Sequence, residues 1–543
     1  MAADFKSHGP VTQWRVLIER LRLQTMGKKD KHYALGLTVL FLAVGAFTAS
    51  HHEMWRDEIQ AWLLARDSTS IFNLFANLKY EGHPGLWHLC LMPLSRITHS
   101  PVMMQMLHLL ITGVTVYLFV RYAPFNWFQK LLFCFGYFVI YEYAIVARNY
   151  ALGLLLITVF CVLFKARYKR FISVGCVLFL LAHTSVHALI VVIAIGIALC
   201  CEYLFGGRFL RPLNEEIETI ENKRSIWIGF ALIGVGIITA VLQLNPPSDT
   251  GFAVAWNFNF EVKRVNDIAK LISRAYLPVT RPGLGFWGSN ILTTYPFFQA
   301  IQVLLCYFLM LFSVLLFFKR PIALLTYLIS TFGLLAFFYV KYHGSIRHHG
   351  FLFLAFLMCC WIYRDCPAIN LGKAEQQETG SAIDRVLSIV GTVLVTLLLI
   401  CHAIGGIIAV RMEYRHVFSY GKLTAEYIRS QGMQDLPMVG EIDYAASTVV
   451  GYLEKPRQVY YPRGSRLGSF IRWDKARTHD ASNALVIEAA KTLGAERNKQ
   501  VLIILNRALG DELGQQHNLT SVAKFTGSVV GDEGFYLYLM PPP

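Results

Sequence analysis

The chain has 543 residues, 55% of them hydrophobic and only 16% charged, with a mean hydropathy of +0.45. Soluble proteins carry about 25% charged residues, so the composition excludes an ordinary soluble enzyme and points to a polytopic membrane protein with room for one soluble domain. The net charge of +15 fits the Lys and Arg excess that sets membrane topology and touches anionic lipid. No compact basic segment stands out to bind nucleic acid.

Residues 1–32 are polar and basic, with an amphipathic helix expected over Val11–Met26. The first apolar run, Tyr33–Ser50, follows Lys28-Lys29-Asp30-Lys31 and lacks a clear small-residue cleavage site. It reads as an uncleaved span running outward by the positive-inside rule. The first outer loop, 51–101, contains a short apolar segment, Leu86–Leu94, that suits an interfacial helix. Further spans are expected at Val102–Val120, Phe128–Tyr141, Tyr150–Phe164, Phe171–Ala182, Ala188–Phe205 and Ile226–Leu244. A second outer loop, 245–296, is rich in Pro, Gly and aromatics. Spans at Phe297–Phe318, Ile322–Val340, Gly350–Tyr363 and Ile383–Val410 complete a set of about eleven. The basic runs 28–31, 165–170 and 319–320 then all fall inside, and the C-terminus falls outside.

From 411 to 543 the apolar runs shorten. Leu423–Ser430 and Ala481–Leu493 read as helices, and Met438–Glu441, Gln500–Leu505 and Phe535–Leu539 as strands. The expected fold is an α-helical polytopic membrane protein with a C-terminal extracytoplasmic α/β domain. Its parts are a cytoplasmic segment 1–32, a transmembrane domain 33–410 and the outer domain 411–543. All eleven cysteines lie between Cys90 and Cys401, with no zinc-type spacing.

Four polar stretches fall at outer helix ends: Trp55-Arg56-Asp57-Glu58, Tyr80-Glu81-Gly82-His83-Pro84, Ala147-Arg148-Asn149-Tyr150 and Lys341 to His349. Ionisable residues at membrane depth mark function by default. At helix ends the same residues also suit anchoring: Asp57 and Glu58 on a helix N-terminus, and Arg148 among its tyrosines. The functional readings are a general base for a hydroxyl and phosphate ligands, since a guanidinium matches phosphate oxygens. Lys341, Arg347, His348 and His349 break the positive-inside trend, which favours an anion site. His83, His183 and His187 each suit packing as well as ligation.

This order, one helix, an outer Asp-Glu loop, a His-Pro stretch and an Ala-Arg-x-Tyr-Ala-Leu stretch, resembles the GT-C superfamily of membrane glycosyltransferases. The branch it looks most like contains the protein O-mannosyltransferases and the lipid A aminoarabinose transferases. The similarity covers mainly residues 33–190 and the general layout. It implies a polyprenyl-phosphate-sugar donor, an inverting transfer on the outer face, and Asp57 and Glu58 as catalytic base and partner. His83-Pro84 matches the family's His-Pro stretch, with Gly85 in place of a common second proline. Arg148 and Tyr150 match its second outer motif. Asn149 stands where some members have a second acidic residue, which weakens a two-carboxylate metal site, although a divalent metal stays open.

Chemistry agrees with that resemblance. A departing lipid phosphate needs fixed cations, which Arg148, Lys341, Arg347 and His349 would supply. Arg56, Glu81, His83, Tyr150 and His187 would line the substrate. The expected partners are the lipid-linked sugar, a glycan, lipid or protein acceptor, and membrane lipids. Brief inner loops favour a bacterial inner membrane with the active face in the periplasm. The competing reading is a transporter or flippase of an anionic lipid, whose mid-membrane breaks and pseudo-repeats do not stand out.

Overall fold

An apolar run in lipid must satisfy its own backbone polar groups, so it becomes helix. The computed structural model describes residues 29–209, 223–251, 255–368, 382–453 and 457–542; the helix expected at Val11–Met26 lies outside them. Helix α1 (Lys29–His51) leads into α2 (Arg56–Asp67), α3 (Ile71–Leu78) and α4 (Leu86–Ile97). Then come α5 (Val102–Tyr122), α6 (Trp127–Cys134), a π-helical turn (Tyr137–Glu142), α7 (Tyr150–Phe164) and α8 (Phe171–Ala182). Next are α9 (Val186–Phe209), α10 (Lys223–Leu244), α11 (Val262–Tyr276) and α12 (Ile291–Thr294). The last helices of the bundle are α13 (Pro296–Phe317), α14 (Pro321–Val340), α15 (Ile346–Ile362) and α16 (Ala382–Arg415).

Among the described residues, eight helices are long and apolar enough to cross a membrane: α1, α5, α9, α10, α13, α14, α15 and α16. The shorter apolar helices α7 and α8 are about 22 Å and 18 Å long at the α-helical rise. The span expected at Phe128–Tyr141 is broken at Phe135-Gly136 into α6 and the π turn. The break is held from outside: a side chain at Gly406 of α16 would run into the Phe135 carbonyl. The expected eleven spans therefore comprise eight full-length helices and three shorter segments. Helix α15 begins four residues earlier than expected, so His348 and His349 lie in its first turn, both buried. Helix α16 runs five residues past the expected end, to Arg415.

Beyond α16, helix α17 (Gly421–Ser430) precedes a six-stranded sheet. Its elements are β1 (Met438–Gly440), α18 (Asp443–Gly451), β2 (Val459–Tyr461), β3 (Arg466–Gly468), α19 (Asn483–Arg497), β4 (Val501–Leu505), α20 (Asp511–Gln516), β5 (Thr520–Phe525) and β6 (Phe535–Met540). The strand order is β3-β2-β1-β4-β6-β5. Strand β1 runs parallel to β2 and β4, with Val439 opposite Tyr460 and Ile503; the other pairings are antiparallel. Central β4 is apolar throughout because both faces are covered. Alternation sends Val501 and Ile503 toward α19 and Leu502 and Ile504 toward α18.

The two parts meet through α2. Ile59, Trp62 and Leu63 are fully buried in a core shared with Ala446, Val449 and Val450 of α18. Each such side chain contributes about 1.5–3 kcal/mol. The helices touch closely where Gly451 faces Ile59, with no space for a Cβ between them.

Candidate active site at one end of the bundle

Helices α1, α14 and α16 end, and α7, α9 and α15 begin, at the same end of the bundle, and the polar stretches meet there. Asp57 sits in the first turn of α2. Arg347, in the first turn of α15, places a guanidinium nitrogen 2.9 Å from Asp57 Oδ2. Arg148, just before α7, lies 3.7 Å from the same oxygen and also donates to the Asp57 carbonyl. Its other terminal nitrogen is 3.2 Å from His83 Nε2. The Asp57 side chain keeps 29% of its surface exposed, and each arginine 11%. Burial alone would raise the Asp57 carboxyl. Arg148, Arg347 and Arg56 outweigh it and hold the group below the usual carboxylate range.

Each arginine is placed by its surroundings. The Arg347 guanidinium lies over Trp55 and Trp287, 5.2 and 5.7 Å from their ring centroids. Its carbonyl accepts from the Tyr143 hydroxyl at 2.6 Å, an approach that only the bare Cα of Gly350 permits. Arg148 lies on a non-helical segment tied at three successive residues. Ala147 N–H donates to Glu58 Oε1 at 2.6 Å. Arg148 N–H lies 3.2 Å from His108 Nε2, whose Nδ1 is 3.1 Å from the Ala144 carbonyl. The same Nε2 lies 3.0 Å from the Arg148 carbonyl, so its tautomer sets which of the two Arg148 backbone groups it engages. Asn149 donates to the Thr184 carbonyl, so its amide is committed away from Asp57.

Glu58 is fully buried. Besides Ala147 it accepts from Trp55 N–H at 3.2 Å and meets His52 Nε2 at 3.0 Å. The other nitrogen of His52 lies 2.8 Å from Glu413 Oε1 near the end of α16, and Glu413 also accepts from the Tyr141 hydroxyl at 2.6 Å. Burial would lower His52, but the two carboxylates hold its pKa well above the ordinary histidine value. Glu58 thus fastens the Arg148 segment and the start of α2 to the ends of α1 and α16, and does not face the open side.

Glu81 is half-buried and accepts from Gln60 Nε2 at 2.8 Å. Burial pushes it up to about 7, against the pull of Gln60 and Arg148. Tyr150 and His187 stand behind Arg347, each against the His348 ring, with centroids 5.4 and 4.8 Å away. Several buried polar atoms here have no hydrogen-bond partner among the described residues: Arg148 Nε, Arg347 Nε, His83 Nδ1, Tyr150 Oη and both His187 nitrogens. Such groups are costly unless something completes them.

Not every expected site residue joins this group. Lys341 Nζ sits 4.7 Å over the Trp256 ring. His349 Nε2 is 2.9 Å from the His343 carbonyl, and its ring packs on Phe338. Arg56 turns to the C-terminal sheet, 2.6 Å from Asp532. It is stacked over Tyr444 and donates its N–H to Glu533, a carboxyl that burial pushes up to about 8.

Sequence reasoning missed His52, His108 and Glu413, which carry no local signal. It also missed α11, whose apolar spacing at Val265, Ile268, Ala269, Ile272 and Tyr276 was a readable helix pattern. A cavity of about 540 Å³ lies along α11, lined by Lys263, Arg264, Lys270, Arg274, Phe338 and His343 among others. Phe338 also touches His187 and His349, so one ring separates this cavity from the histidines behind Arg347.

Among solved structures, the chain is similar to ArnT from Cupriavidus metallidurans bound to undecaprenyl phosphate. The match covers 97% of this chain and 98% of that one, at 12% identity and a TM-score of 0.46. No family model matches the chain, and no curated protein matches it.

Proposed function

We propose that the chain is a GT-C-type glycosyltransferase of a bacterial inner membrane. It moves a sugar from a polyprenyl-phosphate donor to a glycan, lipid or protein acceptor at the extracytoplasmic face. The transmembrane domain, 33–410, carries the site and the outer domain, 411–543, packs over it. The observation that carries this reading is the closure of Arg148 and Arg347 on the single carboxylate of Asp57, amid buried donors that lack partners.

In the resting protein the Asp57 carboxylate fills the place of an anion. A donor phosphate competes for the two guanidinium groups, which match its oxygens. As they turn to the phosphate, Asp57 loses its counter-charges and becomes a stronger base. The acceptor hydroxyl gives its proton to Asp57, and its oxygen forms the new bond to the anomeric carbon. The bond from that carbon to the phosphate oxygen breaks, and the electron pair leaves with the lipid phosphate onto Arg148 and Arg347. Attack opposite the leaving group inverts the anomeric centre. Glu81 and His83 stand at the edge of this space and contact the sugar or acceptor; Tyr150 and His187 back Arg347. Lys341 and His349 stand outside the phosphate contact, and the step as drawn uses no metal.

The test is binding of a polyprenyl phosphate, followed by native mass spectrometry of the purified chain. Wild type should retain the lipid, and Arg148→Ala and Arg347→Ala should each lose it while remaining folded and monodisperse. Equal retention by all three proteins would overturn the assignment.

A further inference from the structure

The second outer loop contains a segment that the proposed chemistry does not use. Residues 255–261 form neither helix nor strand and lead into α11. Apolar and polar side chains alternate from Trp256 to Val262, and all but Asn257 are exposed. Trp256, Phe258, Phe260 and Val262 are 58%, 73%, 78% and 66% exposed. The Trp256 and Phe258 rings are parallel within 2°, with centroids 5.9 Å apart. Two residues apart on an extended chain is the spacing that puts side chains on one face.

The intervening residues fasten the segment to the end of a span. Asn257 N–H donates to the Val340 carbonyl at 2.8 Å, and Glu261 N–H to the Tyr339 hydroxyl at 2.9 Å. That hydroxyl in turn donates to the Asn259 carbonyl at 2.5 Å. Arg264 of α11 donates to the Tyr339 carbonyl and lies 4.6 Å from its ring centroid. Tyr339 and Val340 are the last residues of α14, one of the eight full-length spans. The row of apolar side chains is therefore held within one turn of the end of α14. Lys341 stands over Trp256, and exposed Lys263 follows Val262.

We propose that residues 255–262 are a membrane-interface ledge, with Trp256, Phe258, Phe260 and Val262 set into the outer lipid interface. The occupant of this apolar face is the bilayer itself. The face lies at the end of α14, a helix long and apolar enough to cross a membrane, and aromatic rings favour the headgroup level of a membrane. Lys341 and Lys263 stand where lipid phosphates would be, and a cation near an anionic surface adds to the attachment. Because Glu261, Lys263 and Arg264 also line the 540 Å³ cavity, the ledge sets that cavity at the depth of lipid headgroups.

The experiment uses the full chain in phosphatidylcholine–phosphatidylglycerol vesicles whose acyl chains are brominated near the glycerol end. Subtracting the emission of Trp256→Phe from that of wild type isolates the Trp256 signal. The brominated lipids should remove most of that signal, and aqueous iodide should leave it. A second protein, Trp256→Phe with Phe260→Trp, should behave in the same way at position 260. Quenching of either signal by iodide but not by lipid would place the rings in water. Quenching by neither would place them against protein. Both results overturn the proposal, and neither bears on the catalytic reading.

Discussion

Arg347 reaches Asp57 across 290 residues of sequence, and the two side chains meet at 2.9 Å. The pair joins the start of a long membrane helix to the start of a short helix of the first outer loop. It leaves one carboxylate facing two arginines and an open side. A carboxylate so held is fully ionised and a weak base at rest. Its reactivity then depends on whether something else takes the arginines.

That dependence sets the expected pH profile. Asp57 is held below the ordinary carboxylate range by its arginines, and their turn to a phosphate lets burial raise it. A base works only when deprotonated, so transfer should fall on the acid side, and in the same way for wild type and Glu81→Gln. Glu81, pushed up to about 7 by burial, would impose a different shape, with the rate rising as the pH passes 7. Rates of wild type and Glu81→Gln across this range separate the two. A limb near 7 that vanishes in Glu81→Gln would transfer the role of base to Glu81.

The His52 cluster is expected to govern stability more than chemistry. His52 lies between Glu58 and Glu413, all three fully enclosed. Removing the histidine leaves two buried carboxylates without their cation, and breaking a buried pair costs about 3–5 kcal/mol. His52→Ala should therefore unfold at a clearly lower temperature in detergent. Glu58→Gln should be milder, because its amide oxygen still accepts from one of the two backbone donors, Ala147 or Trp55. Equal melting of His52→Ala and wild type would show that the cluster is not a fastening.

Gly350→Ala tests how Arg347 is placed. The added methyl would run into the Tyr143 hydroxyl and come within 2.7 Å of the Phe138 ring. Tyr143 then has to release the Arg347 carbonyl. Loss of a properly placed charge stabiliser costs about 10²–10³-fold in rate, and a shift of the arginine should cost a part of that. Single-turnover rates with donor in excess would report it. An unchanged rate would mean that Tyr143 does not hold Arg347.

What the sequence made legible follows from range. Tyr150–Phe164 and Phe171–Ala182 are apolar runs bounded by charged or polar residues, and both helices have the expected ends. Strands β4 and β6 were readable because each is five or six apolar or aromatic residues long. Strands β2 and β3 have three residues each, too few to show a period, and Arg466 and Gly468 in β3 hide it further. The Asp57, Arg148 and Arg347 stretches could be found because charge at a helix end is locally conspicuous. Their meeting, and the link from His52 to Glu413 over 361 residues, depends on packing that no local pattern encodes. Glu58 looked like Asp57 in sequence. Only the backbone donors of Trp55 and Ala147 distinguish their roles.

Asp57→Asn is the measurement that addresses the central claim most directly, followed as sugar transfer from a defined polyprenyl-phosphate donor with donor binding recorded alongside. The substitution keeps the size of the side chain, removes the base and withdraws the anion that occupies Arg148 and Arg347. Transfer should fall by about 10²–10⁴-fold, while the donor binds at least as tightly as to wild type. Transfer at the wild-type rate, or loss of donor binding together with transfer, would contradict the account and return Asp57 to the role of a helix-start anchor.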